Sequence, residues 1–424
     1  MSVKIIHRDG KPPKYDIDPG PVRFVFPGSG IGFDFNYGAR ISLPPDQFKV
    51  IITDTRTGIA DLYSNVGKSV VTSQFAYYIP YRIEVFSNEV LLFSETYDDR
   101  GKNVHIEMMT DTKLGDTLAS VFAIESFRIE HECNVYVTLP EEYAAVLQSA
   151  YPEIHFIGIR TVVAEGHKDY DQAGWGKLPP DIYATYYMEM VRDRELSPSD
   201  VRLCGLMNVA AEILGTKLKQ QHFRPLLPSG AKKDGKKEKG PYVCFSFRAG
   251  TDWKEWKNLG GWVETVRYLK YKGYRVLCID EDAGQDAGFF KELLKNGAED
   301  YTGKRALQER VDLLCGAEFY IGIASGLSWL AWAAGIPVIL ISGITLPYTE
   351  FFTPYRVYNP AVCHGCWNDT DIKTRDEDGY CPRRGGTDRE FECSREITAE
   401  LVCRNIDRVM ADRNNLKEGQ QWQN

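Results

Sequence analysis

Hydrophobic and polar positions follow two different rhythms along this chain. Up to about residue 95, short runs rich in Val, Ile, Phe and Tyr alternate with turn residues: VRFVFP, FKVIITDT, ADLYSNV, YRIEVFS and EVLLFSETY. That spacing predicts strands and an antiparallel β-rich domain over residues 1–98. From residue 102 the period changes. NVHIEMM reads as a strand, LASVFAIESFRIEH as a helix, NVYVTL as a strand, PEEYAAVLQSAY as a helix opened by proline, and IHFIGI as a third strand. A βαβαβ unit with a parallel sheet follows from this alternation, so residues 99–230 are expected to form a Rossmann-like domain, helical around 201–220.

The segment LPSGAKKDGKKEKGP at 227–241 is lysine-rich, glycine-punctuated and almost free of apolar groups. It reads as a solvated interdomain linker rather than a phosphate-binding patch. Beyond it the second rhythm resumes. YVCFSF, YRVLCID, EFYIGIA and IPVILIS are strand-like, and GWVETVRYLKYKG, FFKELLKNG, LQERVDLLCGA and GLSWLAWAAG are helix-like. Residues 241–413 are therefore a second doubly wound domain, closed by a helix over 394–413. The expected fold class is α/β, with two Rossmann-like domains and an N-terminal β-rich region. In such sheets ligands bind beyond the carboxyl ends of the strands.

Composition narrows the function. The 424 residues carry a net charge of -8, which argues against broad nucleic-acid binding. Ten cysteines, with no apolar run in the opening MSVKIIHRDGKPPKYDIDPGP, point to a reducing, cytoplasmic setting. The uncharged stretch from Phe319 to Thr349 is interrupted by Gly322, Ser325, Gly326, Gly335 and Pro337. It reads as strand, helix, strand and not as a membrane span.

Cys363, Cys366, Cys381 and Cys393 form C-x2-C-x14-C-x11-C within a turn-rich, charged segment at 361–395 that has no obvious core of its own. The spacing predicts one structural metal held by four thiolates, with no open coordination position for catalysis. Buried free thiols or disulfides are the plainer alternatives, and spacing does not choose between iron and zinc. The other six cysteines lie in or near apolar patterns and suit burial.

Three further places could carry chemistry. Ser325, Gly326 and Leu327 stand where EFYIGIA meets a helix, so free N–H groups and the positive dipole end could hold an anion; an ordinary N-cap is the alternative. Lys254, in the loop after YVCFSF, could meet the same anion, or could be a surface lysine. Asp116 in LGDT stands at the first βα junction as a general-base candidate or a helix cap. Short acidic triplets at 280–282, 369–371 and 376–378 arise easily by chance. No G-x-G-x-x-G or Walker loop occurs, which makes dinucleotides and ATP hydrolysis unexpected.

These features converge on one family. LGDTL (114–118), DWKEWKNLGGW (252–262), YRVLCID (274–280), IASGLSWLAWA (323–333), TPYRVYNP (353–360) and the four-cysteine segment resemble the bacterial autotransporter (adhesin) heptosyltransferases. These are relatives of the ADP-heptose lipopolysaccharide heptosyltransferases. GFDFNYGARISLP (32–44) is similar to the family's N-terminal part. The resemblance implies a GT-B fold, transfer of heptose from ADP-heptose to serine hydroxyls of an autotransporter adhesin, an iron-binding cysteine finger and dodecameric assembly. Position by position it implies Asp116 as the catalytic carboxylate and Lys254 as the group that meets the diphosphate. Ser325, Gly326 and Leu327 would be the phosphate turn, and Asp280 a contact to the nucleotide. Lipopolysaccharide enzymes usually show Asp-Thr-Gly-x-x-His at that turn, where this chain has Ala324, Ser325, Gly326 and Trp329. Arg248 stands where a polar uncharged residue is commoner. Two rival readings are a transferase acting on lipopolysaccharide core or another small acceptor, and a non-catalytic metal-stapled assembly module.

Overall fold

A computed structural model describes residues 2–8, 11–108, 112–164, 167–171, 178–188, 194–230, 240–282, 287–372 and 380–421. The chain forms two compact units, one of residues 1–112 with 119–224 and one of residues 113–118 with 225–424. Most of the lysine-rich linker lies outside the described residues.

The first unit is built on a parallel core. Strand Asn103–Glu107 pairs in parallel with Asn134–Pro140 on one side and Ile182–Tyr187 on the other, and His155–Ala164 continues the sheet beyond Asn134–Pro140. Every residue of Ile182–Tyr187 is buried, as expected for a strand covered on both faces. Helices Leu114–His131 and Glu141–Ala150 supply the crossovers.

The N-terminal β region is not the separate domain that its pattern suggests. Strand Gly32–Asn36 joins the parallel sheet beside Ile182–Tyr187, with Phe35 opposite Ala184 and Asn36 opposite Thr185. Arg40–Ser42 and Val70–Thr72 extend that sheet antiparallel. Val90–Thr96, Tyr81–Ser87, Phe48–Asp54 and Ala60–Val66 form a separate antiparallel sheet, and Ser2–Arg8 with Lys11–Asp18 form a second, two-stranded one. Short Val/Ile/Phe runs look alike whether their partner is local or distant, so the pattern could not separate the two groups.

One ion pair pins the joining hairpin. Asp34 and Arg40 face each other across the strands. Arg40 Nε and Nη2 donate to the two Asp34 carboxylate oxygens at 2.7 and 2.6 Å, and both side chains are buried. The amide of Arg23 donates to the same carboxylate at 3.0 Å. Tyr37 and Gly38 turn the chain between them, both at positive φ, as tight hairpins require.

The second unit carries six parallel strands in the order Ala298–Asp300, Arg275–Cys278, Tyr242–Phe245, Tyr320–Ile323, Val338–Ile341, Arg356–Val357. The chain runs outward from Tyr242–Phe245 in one direction, then returns to Tyr320–Ile323 and proceeds in the other. The switch point therefore lies between those two central strands. Val402, Ile406 and Val409 of the long helix Ala399–Gln421 pack into the core with Ile339 and Ile341. Ala298–Asp300 escaped the sequence reading because its three residues include a single apolar one. Among the described residues no helix is long and apolar enough to cross a membrane; the stretch from Phe319 is strand, helix and strand.

Arg40→Ala leaves the Asp34 carboxylate buried without its cation and should destabilise the first unit by about 3–5 kcal/mol. Replacing both partners by apolar residues should cost less. Urea denaturation of the single and double variants checks this, and equal losses would remove the ion pair as the pin.

Candidate functional site

Strand Tyr320–Ile323 ends at the switch point, and helix Gly326–Ala333 begins after two intervening residues. Ser325 caps that helix with extended backbone, and its carbonyl accepts the N–H groups of Ser328 and Trp329 at 3.1 and 3.4 Å. The N–H groups of Gly326 and Leu327, ahead of those bonds, have no partner inside the helix. Ser325 Oγ is itself buried without a hydrogen-bond partner. Ser328 Oγ donates to the carbonyl of Ile323 and fixes the turn from behind. The result is a compact turn that offers donors and a positive dipole end at the carboxyl edge of the sheet.

Residues 113–118 pack within this same unit. They open helix Leu114–His131, with Asp116 half-buried in its first turn. Thr117 donates its N–H to the carbonyl of Lys113 at 3.0 Å. Gly115 is buried against Trp329, and a Cβ there would lie 3.0 Å from indole Cδ1. Likewise, a Cβ on Gly326 would lie 3.2 Å from Leu114 Cβ and 3.5 Å from the Gly115 nitrogen. The two turns, distant in sequence, thus pack together through Leu114, Gly115, Gly326 and the Trp329 indole.

Lys254 ends a short 3-10 turn, Asp252–Lys254, in the loop after Tyr242–Phe245. It lines a small crevice with Ile341, Ser342 and Gly343, at the carboxyl end of Val338–Ile341. That strand neighbours Tyr320–Ile323 in parallel, so Lys254 and the Ser325 turn occupy the same edge of the sheet. The loop is tied to the cysteine segment. Ser394 Oγ donates to the carbonyl of Glu255 at 2.7 Å and accepts the N–H of Lys257 at 2.8 Å, while Trp256 Nε1 donates to the carbonyl of Ile397 at 2.8 Å. Arg248 pairs with Glu255 at 3.3 Å and braces the loop from its other end. Ser394 and Trp256 carry no sequence signal for this role, because their partners are backbone groups far along the chain.

Asp280 follows strand Arg275–Cys278 and is only 2% exposed. Its carboxylate accepts the N–H of Phe247 at 3.0 Å and of Arg248 at 3.4 Å, and the thiol of Cys278 points to it at 3.4 Å. Arg310 donates to the carbonyls of Ile279, Asp280 and Gly303 behind it. Asp280 therefore holds the start of the Lys254 loop, rather than standing open as the nucleotide contact that the family resemblance implies. Burial raises its pKa from 3.8 to about 7, against the opposing pull of those backbone N–H groups.

The four cysteines come together. Cys366, Cys381 and Cys393 are buried and Cys363 is half-buried. Burial, and then the charges of the neighbouring thiols, push Cys366 and Cys393 up to about 12. Gly365, at positive φ, turns the C-x2-C pair, and its N–H donates to the carbonyl of Gly343 at 2.9 Å. Gly343 in turn abuts Cys393 so closely that a Cβ would fall 2.2 Å from its carbonyl oxygen. Arg383 Nη1 donates to Cys363 Sγ at 3.7 Å. Four soft sulfurs with a cation beside them are suitable donors for iron or zinc. The thiols do not close into a formed shell, however: among the described residues no three His, Cys, Asp or Glu side chains are arranged to hold a metal ion. Residues 373–379, with the acidic triplet at 376–378, lie outside the described residues.

Comparison with known proteins decides the family. Residues 27–89 match the N-terminal domain of glycosyltransferase TibC, and residues 199–379 match glycosyltransferase family 9 (heptosyltransferase). Over 392 residues the chain is 39% identical to the autotransporter heptosyltransferase Aah of Escherichia coli, spanning 91% of this chain and 95% of that one. The chain belongs to the autotransporter heptosyltransferase family. Its fold is that of a glycosyltransferase built on parallel α/β sheets. A crystal structure of the dodecameric iron-containing heptosyltransferase TibC, in complex with ADP-D-β-D-heptose, matches it with a TM-score of 0.79 and 35% identity, over 93% of this chain and 100% of that chain; the enzyme comes from enterotoxigenic E. coli. Another family member, the inactive autotransporter heptosyltransferase BimC of Burkholderia thailandensis, is 33% identical over 381 residues, 89% of this chain and 85% of that one.

In this heptosyltransferase-family chain Asp280 gives a pH signature. Its pKa is higher folded than unfolded, so its contribution to stability is complete below about pH 4 and is lost as pH rises through about 7. Asp280→Asn keeps an acceptor for one N–H and does not ionise. Relative to wild type, the variant should gain stability between pH 5 and pH 8. Thermal melts at the two pH values check this, and a constant gap between the proteins would refute it.

Proposed function

We infer that this chain is a protein O-heptosyltransferase of GT-B architecture that transfers heptose from ADP-heptose to serine hydroxyls of an autotransporter adhesin in the cytoplasm. Its two Rossmann-like halves are residues 99–230, enlarged by strands from the β-rich region at 1–98, and residues 241–413. The donor class follows the TibC complex with ADP-heptose and the family 9 match. One observation carries the reading: the turn bearing Asp116 lies directly against the anion-ready turn at Ser325–Gly326. Family membership alone does not decide turnover, because BimC is described as inactive.

A serine hydroxyl is a poor nucleophile at neutral pH. Asp116 takes its proton as the serine oxygen bonds to the anomeric carbon. The bond from that carbon to the diphosphate oxygen breaks, and ADP leaves with the electron pair. Lys254 and the first-turn N–H groups after Ser325, with Gly326 and Leu327, stabilise the charge that develops there. A single displacement inverts the anomeric centre. Asp280 acts one step back, by fixing the loop that presents Lys254.

Cys363, Cys366, Cys381 and Cys393 are the residues that would hold one structural iron, following the iron-containing TibC. A metal there supplies a cross-link and takes no part in the displacement. Ser394, next to Cys393, hydrogen-bonds the Lys254 loop, so the cross-link also steadies the donor side. Assembly as a dodecamer follows the same relative.

Incubation with ADP-heptose and an autotransporter adhesin, followed by intact-mass measurement, should show heptose added to the adhesin. Asp116→Asn should keep ADP binding and lower transfer at least ~10²-fold; near wild-type turnover would remove Asp116 from the mechanism. Cys366→Ser should lose iron by elemental analysis and shift the assembly seen by native mass spectrometry. Full metal content in that variant would rule out the four-sulfur site.

A further inference from the structure

Trp329 stands where the lipopolysaccharide enzymes of the wider family resemblance carry a histidine, and nothing in the mechanism above uses it. Its surroundings suggest a use. The indole is buried, with Phe351 edge-on at 5.0 Å and Trp332 edge-on at 5.7 Å; Trp332 and Phe351 stack on each other at 5.4 Å. Three rings packed in this way have little freedom to shift. The exposed consequence of that rigidity is at Gly115, whose missing side chain leaves room for indole Cδ1 and nothing more. Asp116 is the next residue.

We propose that Trp329 is a positioning residue for the reaction: its indole is the surface against which Gly115 rests, and it thereby fixes the height of the Asp116 carboxylate above the anion turn. The proposal rests on the transferase reading and on Asp116 as base. Two contacts define the seat. Gly115 against Trp329 sets the distance, and Leu114 against Gly326 sets the lateral register. Both lie among residues 113–118 and 225–424, so the base is held relative to the leaving-group turn by contacts inside one unit. The remainder of its helix, from Ala119, packs in the other unit. Proton transfer depends steeply on placement, and an error of 1 Å in a reacting group can cost about 10²-fold. A seat made of backbone and a locked ring is suited to that demand.

The test adds a methyl group at the seat and then removes ring to make room. Gly115→Ala puts a Cβ 3.0 Å from Cδ1, which forces a shift of a few tenths of an ångström and should lower kcat about tenfold. The melting temperature, ADP affinity and KM for ADP-heptose should stay close to wild type. In Gly115→Ala/Trp329→Phe the smaller ring gives way, and kcat should recover most of that loss. Wild-type kcat in Gly115→Ala, or a double variant showing only the product of the two single effects, overturns the proposal. So does a parallel fall in kcat and ADP affinity, which marks collapse of the turn. If Gly115→Ala does not fold, Trp329→Phe alone decides: lower kcat at unchanged ADP affinity supports the seat, and unchanged kcat overturns it. A wild-type protein that neither binds nor turns over ADP-heptose fails earlier, and overturns the functional reading itself.

Discussion

Close packing of Gly326 against Leu114 and Gly115 is the constraint on which the candidate site depends. An anion-binding turn alone is common, and so is a carboxylate in the first turn of a helix. Their significance comes from being in contact. A Cβ at Gly115 would crowd the Trp329 indole and one at Gly326 would crowd Leu114, so two absent side chains help to specify the site along with the carboxylate and the donors. The same contact explains why helix Leu114–His131 is shared, its first turn packing with one unit and its remainder with the other.

Around that contact the second unit arranges its loops through buried polar groups with defined partners. Asp280 takes two backbone N–H groups from the loop after Tyr242–Phe245, and Arg310 takes three carbonyls at the ends of neighbouring segments. Burying a carboxylate is costly, and the raised pKa of Asp280 measures that cost. The return is a loop whose first residues cannot wander. Ser394 and Trp256 secure its far end against the cysteine segment. The loop is therefore held at both ends by groups that are not themselves at the reacting position.

Much of this could be read from the residues, and the failures have physical causes. The helices and central strands follow from period and turn chemistry, which act locally. The three-residue strand Ala298–Asp300 does not, because one alanine makes no pattern. Parallel pairing of Gly32–Asn36 with Ile182–Tyr187 joins regions far apart in the chain, and local composition contains no signal for it. Asp280 was legible as a carboxylate after a strand, but which way it faces is decided by the N–H groups of Phe247 and Arg248. Motif spacing found the four cysteines, and the structure adds that Gly343 and Gly365 let the chain fold tightly around them.

The packing of the cysteine segment bears on how the Lys254 loop is supported. The segment between Val338–Ile341 and helix Ala399–Gln421 is poor in apolar residues, and Cys366 shares its small cluster with only Trp253 and Ile344 among fully buried residues. So small a cluster removes little apolar surface from water, at about 25 cal/mol per Å². Trp253 belongs to the Lys254 turn, so the same few residues form the base of both the donor loop and the cysteine segment. Burial and the neighbouring thiols act against the ionised forms of Cys366 and Cys393, an effect that a bound cation would reverse. Hydrogen bonds through Ser394, Trp256 and Asn258, and Lys257 over the Phe391 ring, join the segment to the loop beside that cluster. A metal held by the four cysteines would cross-link the segment to the loop that carries Lys254.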